Sequence, residues 1–291
     1  MQFLRNLLGL DERFTDQAKE EPLSPEPAVR ENQLKLKVGW NTNTGSVRRS
    51  NEDAVLVFTA SHDGDEMLPP FGLFILADGM GGHQSGEVAS SLAARTVGNY
   101  VIQHFYLPIL ISQDRDTAQP ALNELLVNAF QAANRALAKQ VPGGGTTLTC
   151  ALAFGSRVYI AHVGDSRAYT IAKDGTLTQI TQDHSLVDRL IELGQLSPAE
   201  ALNHPQKNVL YRAVGQEGIL EVDTYTQAIP EEGRLLLCSD GLWGLVNEEK
   251  IVTIIMEAAD PQEACDQLVA AANRAGGRDN ITAILLEPPL G

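Results

Sequence analysis

Cysteines are scarce in this chain, and none is paired with another at a spacing that suits a metal site. Only three occur in 291 residues, and Cys150, Cys238 and Cys265 each stand alone within an apolar stretch. A disulfide framework or a zinc ligand set would need cysteines in closer, repeated groups. We therefore expect buried, reduced cysteines and a cytoplasmic protein.

Excess positive charge and long hydrophobic runs are also absent. The chain has 22 Lys and Arg against 37 Asp and Glu, a net charge of -15. This balance excludes a general nucleic-acid binder, because phosphate backbones require a basic surface, but a local positive site for a phosphorylated substrate remains compatible. No run of about 18 apolar residues and no signal peptide occurs, so we expect no membrane partner. A monomer is the default expectation.

The composition divides the chain into a tail and one folded region. Residues 1–33 are rich in Glu and Pro beyond a short apolar start, a composition that predicts a mobile tail. Residues 34–291 form the predicted domain, and the chain's hydrophobic content of 43% can supply its core. Within this domain, 181–215 is polar and is predicted to be a long excursion with one helix.

The order of the predicted elements indicates an α+β fold rather than alternating βαβ units. Runs of strands are interrupted by pairs of helices, which favours antiparallel sheet with helices packed on it. The links Gly155–Ser156 and Gly164–Ser166 are short enough for hairpins. We predict strands at 34–40, 53–58, 71–77, 146–154, 157–163, 167–172, 220–227, 234–238 and 281–286, and helices at about 84–106, 120–140, 247–259 and 261–275.

The stretch from Phe74 to Glu87 carries the strongest local signal. An apolar run predicts a buried strand that ends at Asp78, and Gly79, Gly81 and Gly82 follow before a helical pattern. A carboxylate at a strand end beside bare backbone suits a hard cation or a phosphate. An ordinary turn before a helix is the alternative.

Several other acidic residues share this setting at a turn or strand edge beside Gly, Ser or Asn. Taken singly, each is better explained as a turn or a cap. However, Asp78, Asp240 and Asp279 all adjoin continuous apolar runs, so they should lie at the ends of central strands and converge. Such carboxylates repel one another unless cations lie among them. The full set is Glu52, Asp53, Asp78, Asp165, Asp240 and Asp279.

The donors in this set are all oxygens, which favours magnesium or manganese over zinc. Two such ions at roughly 3.5–4 Å could share a water and promote in-line displacement at phosphorus. Arg48 offers a planar fork for phosphate oxygens, although a surface arginine is its alternative interpretation. His83 could protonate a leaving alkoxide, although a histidine beside a glycine turn is more often a surface residue.

Six short motifs together resemble the metal-dependent serine/threonine protein phosphatases of type 2C, the PPM family, in its bacterial form. The resemblance covers about 34–287. The motifs, in chain order, are Arg48-x-x-Asn51-Glu52-Asp53, Asp78-Gly79-Met80-Gly81-Gly82-His83, Gly144-Gly145-Thr146-Thr147, Gly164-Asp165-Ser166-Arg167, Ser239-Asp240-Gly241-Leu242-Trp243 and Arg278-Asp279-Asn280-Ile281-Thr282.

The resemblance implies a four-layer α-β-β-α sandwich, with two central antiparallel sheets flanked by helix pairs. It implies that a water bridging two Mn²⁺ or Mg²⁺ ions attacks phosphoserine or phosphothreonine in proteins phosphorylated by a serine/threonine kinase. Asp78 would bridge the ions and the Gly79 carbonyl would hold one of them. Asp240 and Asp279 would be ligands, and Glu52 and Asp53 would act directly or through waters.

The resemblance also implies roles for three peripheral features. Asp165 would belong to a third, weaker metal site, Arg48 would bind the substrate phosphate, and residues 181–215 would form a flap beside the active site. Animal members place their proposed acid histidine where this chain has Met80, so either His83 or metal-bound water is the expected proton donor.

Two alternatives to catalysis remain at this stage. A catalytically inactive relative could serve as a regulatory binding module, but it should have lost a metal aspartate, and every such position is filled here. An acidic scaffold whose turns merely imitate metal sites is the other. A thiol phosphatase is excluded, because none of the three cysteines is followed by arginine at the sixth position.

Overall fold

A computed structural model describes residues 35–62, 68–81, 84–111, 121–201, 204–228 and 232–288. The predicted tail at 1–33, His83 and Pro120 at the predicted start of a helix lie outside the described residues. Across the part that is described, no helix is both long enough and apolar enough to cross a membrane.

Within the described residues, ten strands form two antiparallel sheets, and a short eleventh strand extends one of them. Sheet A has the order β1-β11-β10-β7-β8, and sheet B has the order β2-β3-β5-β6-β9, with β4 paired to β3. The strands are β1 Lys37–Asn43, β2 Asp53–Ala60, β3 Phe71–Met80, β4 Gly145–Thr146, β5 Leu148–Phe154, β6 Arg157–Val163, β7 Arg167–Ile171, β8 Leu177–Gln179, β9 Asp223–Ala228, β10 Arg234–Cys238 and β11 Ile281–Glu287.

The helices flank these sheets or follow the ends of strands. A π-helical turn, Ile102–Tyr106, joins the first two of them. The helices are α1 Gln84–Val101, α2 Leu107–Ile111, α3 Leu122–Gln140, α4 Leu186–Glu192, α5 Pro198–Ala201, α6 Asp240–Trp243, α7 Glu248–Glu257 and α8 Pro261–Arg274.

The central strands are apolar on both faces, and this pattern builds the layers. Along β3, Leu73, Ile75 and Ala77 face a core shared with α1 and α3. The alternate residues Phe74 and Leu76 face a second core between the two sheets. Because successive side chains of a strand point to opposite faces, a run without polar residues must be covered on both sides.

Sheet A repeats this arrangement with its own helix pair. Leu236 and Cys238 on β10 pack into a core with α7 and α8, whereas Leu235 and Leu237 face the core between the sheets. Asp260 caps α8 by accepting a hydrogen bond from the Glu263 backbone N–H, as its position before Pro261 suggests. The fold is therefore an α-β-β-α sandwich of the α+β class, which confirms the predicted architecture.

One predicted hairpin is wrong. Gly155–Ser156 does join β5 and β6, but Gly164–Ser166 links β6 of sheet B to β7 of sheet A. At Gly164 the φ of +116° and a contact with Thr147 leave no room for a Cβ, so the chain can turn sharply between the sheets there. Loop length alone does not determine which sheet receives the next strand.

Smaller differences concern where elements begin and end. The first strand lies at Lys37–Asn43 rather than 34–40, and β9 starts at Asp223 rather than 220. The excursion at 181–215 contains two helices, α4 and α5, where one was predicted. The short β4, β8 and α6 were not predicted, because two to four residues carry too little periodicity.

Candidate metal centre

An acidic cleft of about 470 Å³ lies where the two sheets meet at one end of the sandwich. We use "acidic cleft" for this cavity throughout. It is lined by Val47, Arg48, Arg49, Ser50, Glu52, Asp78, Gly79, Met80, Gly81, Thr147, Asp165, Asn208, Leu210, Asp240, Asp279 and Asn280.

Sheet B contributes Asp78 to the lining, and Asp53, which is not itself a lining residue, pairs with Asp78 in the register of β2 and β3. Asp53 Oδ2 accepts hydrogen bonds from Ser239 Oγ at 2.9 Å and Thr282 Oγ1 at 2.6 Å, both from sheet A. Its other oxygen, Oδ1, is buried without a hydrogen-bond partner among the described residues. Burial raises the pKa of Asp53 to about 7, against the lowering effect of the two hydroxyls.

The backbone around Asp78 is held tightly by neighbouring strands. Thr147 Oγ1 accepts a hydrogen bond from the Asp78 N–H at 3.0 Å, and Thr146 Oγ1 donates to the Asp78 carbonyl at 2.8 Å. Burial, followed by the charges of Asp53 and Asp240, raises the pKa of Asp78 well above its ordinary value. This side chain is therefore fixed where other carboxylates oppose its ionisation.

Gly79 is required by the approach of the next helix. A Cβ there would lie 2.3 Å from the Gly86 carbonyl oxygen and 2.6 Å from that of Glu52. The Gly79 N–H donates to the Glu52 carbonyl at 3.1 Å, so the two backbones are in direct contact. Only a residue without a side chain permits this packing beside Asp78.

Sheet A contributes Asp240, immediately after β10, and Asp279, just before β11. Burial raises the pKa of Asp240 to about 6, with a further contribution from the charge of Asp279. Asp240 Oδ1, like Asp53 Oδ1, is buried without a hydrogen-bond partner among the described residues. The predicted position of Asp78, Asp240 and Asp279 beside central strands is confirmed.

Asp165 reaches the same cleft because its loop crosses from one sheet to the other. It is 8% exposed, and burial raises its pKa well above the ordinary value, with Asp240 the next largest cause. Had β6 and β7 formed the predicted hairpin, Asp165 would have belonged to one sheet only.

Arg48 and Glu52 complete the predicted residues at the cleft. Arg48 Nη2 contacts Asp279 Oδ2 at 2.6 Å, and this hydrogen bond is the largest cause of the raised pKa of Arg48. The Glu52 N–H donates to Asn280 Oδ1 at 2.8 Å, so a side chain beside β11 holds the start of β2. His83, the remaining predicted residue, lies outside the described part of the chain.

The residues that lock the carboxylates in place were not predicted as site residues. Ser239 and Thr282 hold Asp53 from 186 and 229 positions away. Asn280 also donates from Nδ2 to the carbonyls of Thr44 and Ser50, both at 2.9 Å. All three stand inside the quoted motifs, but sequence spacing cannot show which distant carboxylate a hydroxyl will contact.

The charge and donor chemistry of the cleft suit a hard divalent cation. Asp53, Asp78, Asp165 and Asp240 have raised pKa values, and one oxygen each of Asp53 and Asp240 lacks a hydrogen bond among the described residues. The arginine contact described above goes to a fifth carboxylate, Asp279. Oxygen-rich sets of this kind bind magnesium or manganese. Among the described residues, no group of three Asp, Glu, His or Cys side chains is already arranged as the ligand set of one ion. The fit to a divalent cation therefore rests on the charge and the donor type of the cleft.

A second cluster of buried charge lies under the start of 181–215, and we name it the base cluster. Arg167 pairs with Asp183, and Arg212 Nη1 contacts Asp223 Oδ1 at 2.8 Å. His184 Nε2 lies 3.1 Å from Asp223 Oδ2. Burial raises the pKa of Asp223, but His184 and Arg212 outweigh it and the net shift is downward. The base cluster comprises Arg167, Asp183, His184, Arg212 and Asp223.

Comparison with known proteins identifies the family. The sequence model described as Protein phosphatase 2C matches residues 49–273. The chain belongs to the protein phosphatase 2C family. The chain is similar to the serine/threonine phosphatase Stp of Listeria innocua, with 38% identity over 249 residues. The aligned residues cover 85% of this chain and 94% of the relative.

Solved structures of protein phosphatase 2C relatives share the fold. The serine/threonine phosphatase PstP/Ppp of Mycobacterium tuberculosis has a TM-score of 0.71 at 35% identity, covering 87% of this chain and 98% of that one. The S. agalactiae serine/threonine phosphatase has a TM-score of 0.74 at 29% identity, with coverage of 87% and 99%.

Bound metal occurs within the same set of structures. A catalytic domain of the serine/threonine protein phosphatase PstP, with a TM-score of 0.68 at 33% identity, is in complex with two manganese ions. The match covers 87% of this chain and 97% of the PstP domain. The acidic cleft thus belongs to a protein phosphatase 2C fold that uses Mn²⁺ or Mg²⁺.

Proposed function

We propose that this protein is a metal-dependent protein phosphatase that hydrolyses phosphoserine and phosphothreonine by in-line displacement at phosphorus. The observation that carries the proposal is the acidic cleft, where buried aspartates from both sheets raise one another's pKa values. Asp53 Oδ1 and Asp240 Oδ1 lack hydrogen-bond donors there, in the described part of the chain. Such a charge arrangement is stabilised by divalent cations.

The residues that would hold two ions are Glu52, Asp53, Asp78, the Gly79 carbonyl, Asp240 and Asp279, with Asp165 at a third, weaker position. When bound, Mn²⁺ or Mg²⁺ supplies Lewis acidity that lowers the pKa of a water molecule and offsets negative charge on the phosphoryl group. The hydroxyls of Ser239 and Thr282 orient Asp53. Supporting hydrogen bonds of this kind fix the direction in which a ligand presents its free oxygen.

Arg48 would orient the substrate. One guanidinium nitrogen contacts Asp279 at 2.6 Å, and the side chain is 51% exposed, so its other N–H groups are available to phosphate oxygens at the mouth of the cleft. The proton for the leaving alkoxide would come from His83 or from water in the cleft. The segment 181–215 would form a flap, because Asn208 and Leu210 line the cleft from it.

The cysteines favour this mechanism over a thiol nucleophile. All three are free and buried. Burial raises the pKa of Cys238 and of Cys265 to about 12, and that of Cys150 also rises. Thiols with such pKa values stay protonated at neutral pH and do not attack phosphorus. Free cysteines also support a cytoplasmic location.

Finer properties of the proposal concern partners. Substrates would be proteins phosphorylated by a serine/threonine kinase, since the relatives carry the name serine/threonine phosphatase. The protein would act as a monomer without nucleic acid or membrane partners, in keeping with the net charge of -15.

The test is release of phosphate from a phosphothreonine peptide by purified protein with Mn²⁺, with EDTA, and after Asp240→Asn. We expect activity only with the metal, and a loss in the variant of at least about a hundredfold, since even supporting residues of metal sites cost 10–100-fold. Asp174→Asn, at an exposed turn, should leave activity unchanged. Activity that survives both EDTA and Asp240→Asn contradicts the metal mechanism, whereas Mn²⁺ binding without activity on phosphopeptides supports an inactive regulatory module.

A further inference from the structure

Trp243 lies one helical turn after Asp240 and contacts the loop that carries Asp165. Its indole Nε1 donates to the Asp165 backbone carbonyl at 3.0 Å. Its ring also lies under the guanidinium of Arg167, whose Cζ is 3.7 Å from the ring centroid. One side chain therefore contacts an acidic residue of the cleft and a cation of the base cluster.

Arg167 is held in place by the first residues of 181–215. Its Nε lies 3.0 Å from both carboxylate oxygens of Asp183, and its Nη2 lies 2.7 Å from Oδ2. The Asp183 side chain is 3% exposed and that of Arg167 is 19% exposed. A guanidinium that is forked on a buried carboxylate and stacked on an aromatic ring has little freedom to move.

The other side of the Asp165 loop is fixed to the same segment. The Gly164 N–H donates to His184 Nδ1 at 3.0 Å, and the His184 N–H donates to the Gly164 carbonyl at 2.7 Å. Ser166 Oγ is 2.8 Å from Thr147 Oγ1, within sheet B. Contacts of Gly164, Asp165 and Ser166 thus hold this loop, and Asp165 is its member among the residues that line the cleft.

We propose that Arg167 and Trp243 are positioning residues that hold the Asp165 loop against the start of 181–215 and so set the cation affinity of the Asp165 side of the cleft. This inference rests on the proposed function, because it gives Asp165 a part in the metal-dependent reaction. Neither residue touches the reacting phosphate. Arg167 acts through Trp243, and Trp243 acts through the Asp165 carbonyl.

Two conservative variants separate these contacts. Arg167→Lys keeps the charge but loses the fork on Asp183 and the planar stack on the ring. Trp243→Phe keeps an aromatic ring but loses the Nε1 donor. We expect each to raise the Mn²⁺ concentration for half-maximal activity by about tenfold, the effect typical of residues that orient metal ligands. Arg234→Lys is the matched control, because Arg234 pairs with Glu287 at 2.7 Å, with both side chains about one-fifth exposed, outside the cleft lining.

A double-mutant cycle with Asp165→Asn distinguishes positioning from general support of the fold. If Arg167 acts through Asp165, Arg167→Lys should change the Mn²⁺ midpoint by less than about twofold in the Asp165→Asn background, since residues that act in one network are not additive. Equal tenfold shifts in both backgrounds, or an equal shift in Arg234→Lys, would overturn the proposal.

Tryptophan fluorescence supplies a readout that does not need turnover. The chain has two tryptophans, and Trp40 lies on β1, where its backbone pairs with Gln262. In a Trp40→Phe background, emission from Trp243 should respond to Mn²⁺. Arg167→Lys should raise the Mn²⁺ concentration at the midpoint of this response by about tenfold. In the Asp165→Asn background, Arg167→Lys should change that midpoint by less than about twofold.

The two readouts separate failure of the inference from failure of the proposed function. A protein that shows the fluorescence cycle without hydrolysing phosphopeptides would retain the positioning role and lose the phosphatase assignment. A metal-dependent phosphatase whose Mn²⁺ midpoints are unchanged by Arg167→Lys would lose the positioning role alone.

Discussion

The acidic cleft and the base cluster each contain a buried aspartate carboxylate, and they differ in what lies beside its charge. In the base cluster, Asp183 and Asp223 each contact an arginine. The pKa of the half-exposed Asp223 is lowered, whereas burial raises the pKa of Asp183 against the lowering effect of Arg167. In the cleft, Asp53 and Asp78 have raised pKa values and face other carboxylates. Arginines of the chain supply the counter-charge in the base cluster, and we propose that an external cation supplies it in the acidic cleft.

The largest effect that tests this comparison is a loss of stability on mutation of the base cluster. Asp183→Asn leaves the Arg167 guanidinium buried without a carboxylate, so the free energy of unfolding should fall by about 3 to 5 kcal/mol. Chemical denaturation with Mn²⁺ held constant measures it. The control is Glu192→Gln, which removes a more exposed pair with Arg189 in the same segment and should cost less than about 1 kcal/mol. Equal losses in the two variants would show that burial does not distinguish the pairs.

Next in size is the effect of removing the contact between Arg48 and Asp279 at the cleft. Arg48→Gln should lower kcat/KM on a phosphothreonine peptide by about 10- to 100-fold, since a hydrogen bond to a charged group contributes roughly 1.5–3 kcal/mol. Arg49 is the matched control, because it lines the same cleft and has no carboxylate contact among the described residues. Arg49→Gln should change kcat/KM only slightly. Similar losses would mean that general positive charge, rather than a specific contact, attracts the substrate.

A smaller effect concerns His162, which lies behind the base cluster and is fully buried. Its Nδ1 is 2.9 Å from Thr149 Oγ1 and its Nε2 is 3.1 Å from the Gln182 carbonyl. Burial, then the charge of His184, lowers the pKa of His162 to about 3, against the raising effect of Asp223. A neutral imidazole therefore fills a position where a cation would be opposed.

The sign of the pH dependence follows from this shift. The unfolded chain takes up a proton near pH 6.5 and the folded chain only near pH 3, so stability present above pH 6.5 is lost as the pH falls. Between pH 7 and pH 5 we expect His162 to remove about 2 kcal/mol, a loss absent from His162→Gln. Denaturation curves at several pH values compare the two proteins, with the exposed His104→Gln as control. A free energy of unfolding that falls equally with pH in the wild type and in His162→Gln would contradict this role of His162.

The smallest predicted effect has the opposite sign to that of Asp183→Asn. In EDTA at pH 7.5, Asp240→Asn removes a buried charge that is opposed by Asp279, so it should stabilise the protein by about 1 to 2 kcal/mol. With Mn²⁺ the order should reverse, because the wild type gains binding energy that the variant lacks. Thermal unfolding with and without metal tests both statements. Destabilisation in EDTA would place Asp240 with the base cluster rather than the cleft.

Local patterns predicted the α+β class and the convergence of Asp78, Asp240 and Asp279, and the family resemblance added the four layers. Apolar residues on both faces of β3 require cover on both sides, and acidic residues beside Gly, Ser or Asn mark the strand ends that meet. Prediction failed where long-range geometry decides. The link at Gly164–Ser166 passes between sheets, and Asp53 is held by Ser239 and Thr282. Nothing in the spacing of these residues shows that they meet.

The base cluster was not predicted for a related reason. Arg167, Asp183 and Asp223 are individually ordinary surface-type residues in sequence, and pairing becomes visible only when the turn at Gly164 brings β7 beside the start of 181–215. The positions of arginine and aspartate in a sequence show no periodicity from which their burial can be predicted. Their roles follow from packing, which sequence patterns describe only for apolar residues.

The hydrogen bonds that Ser239 and Thr282 donate to Asp53 connect the two sheets across most of the length of the chain. A partly unfolded molecule that keeps only sheet B retains Asp53 and Asp78 but none of the aspartates of sheet A. Half of the ligands cannot assemble a centre, so hydrolysis reports that both halves of the sandwich are docked. During refolding, the recovery of activity should therefore follow the docking of sheet on sheet rather than the formation of either sheet by itself.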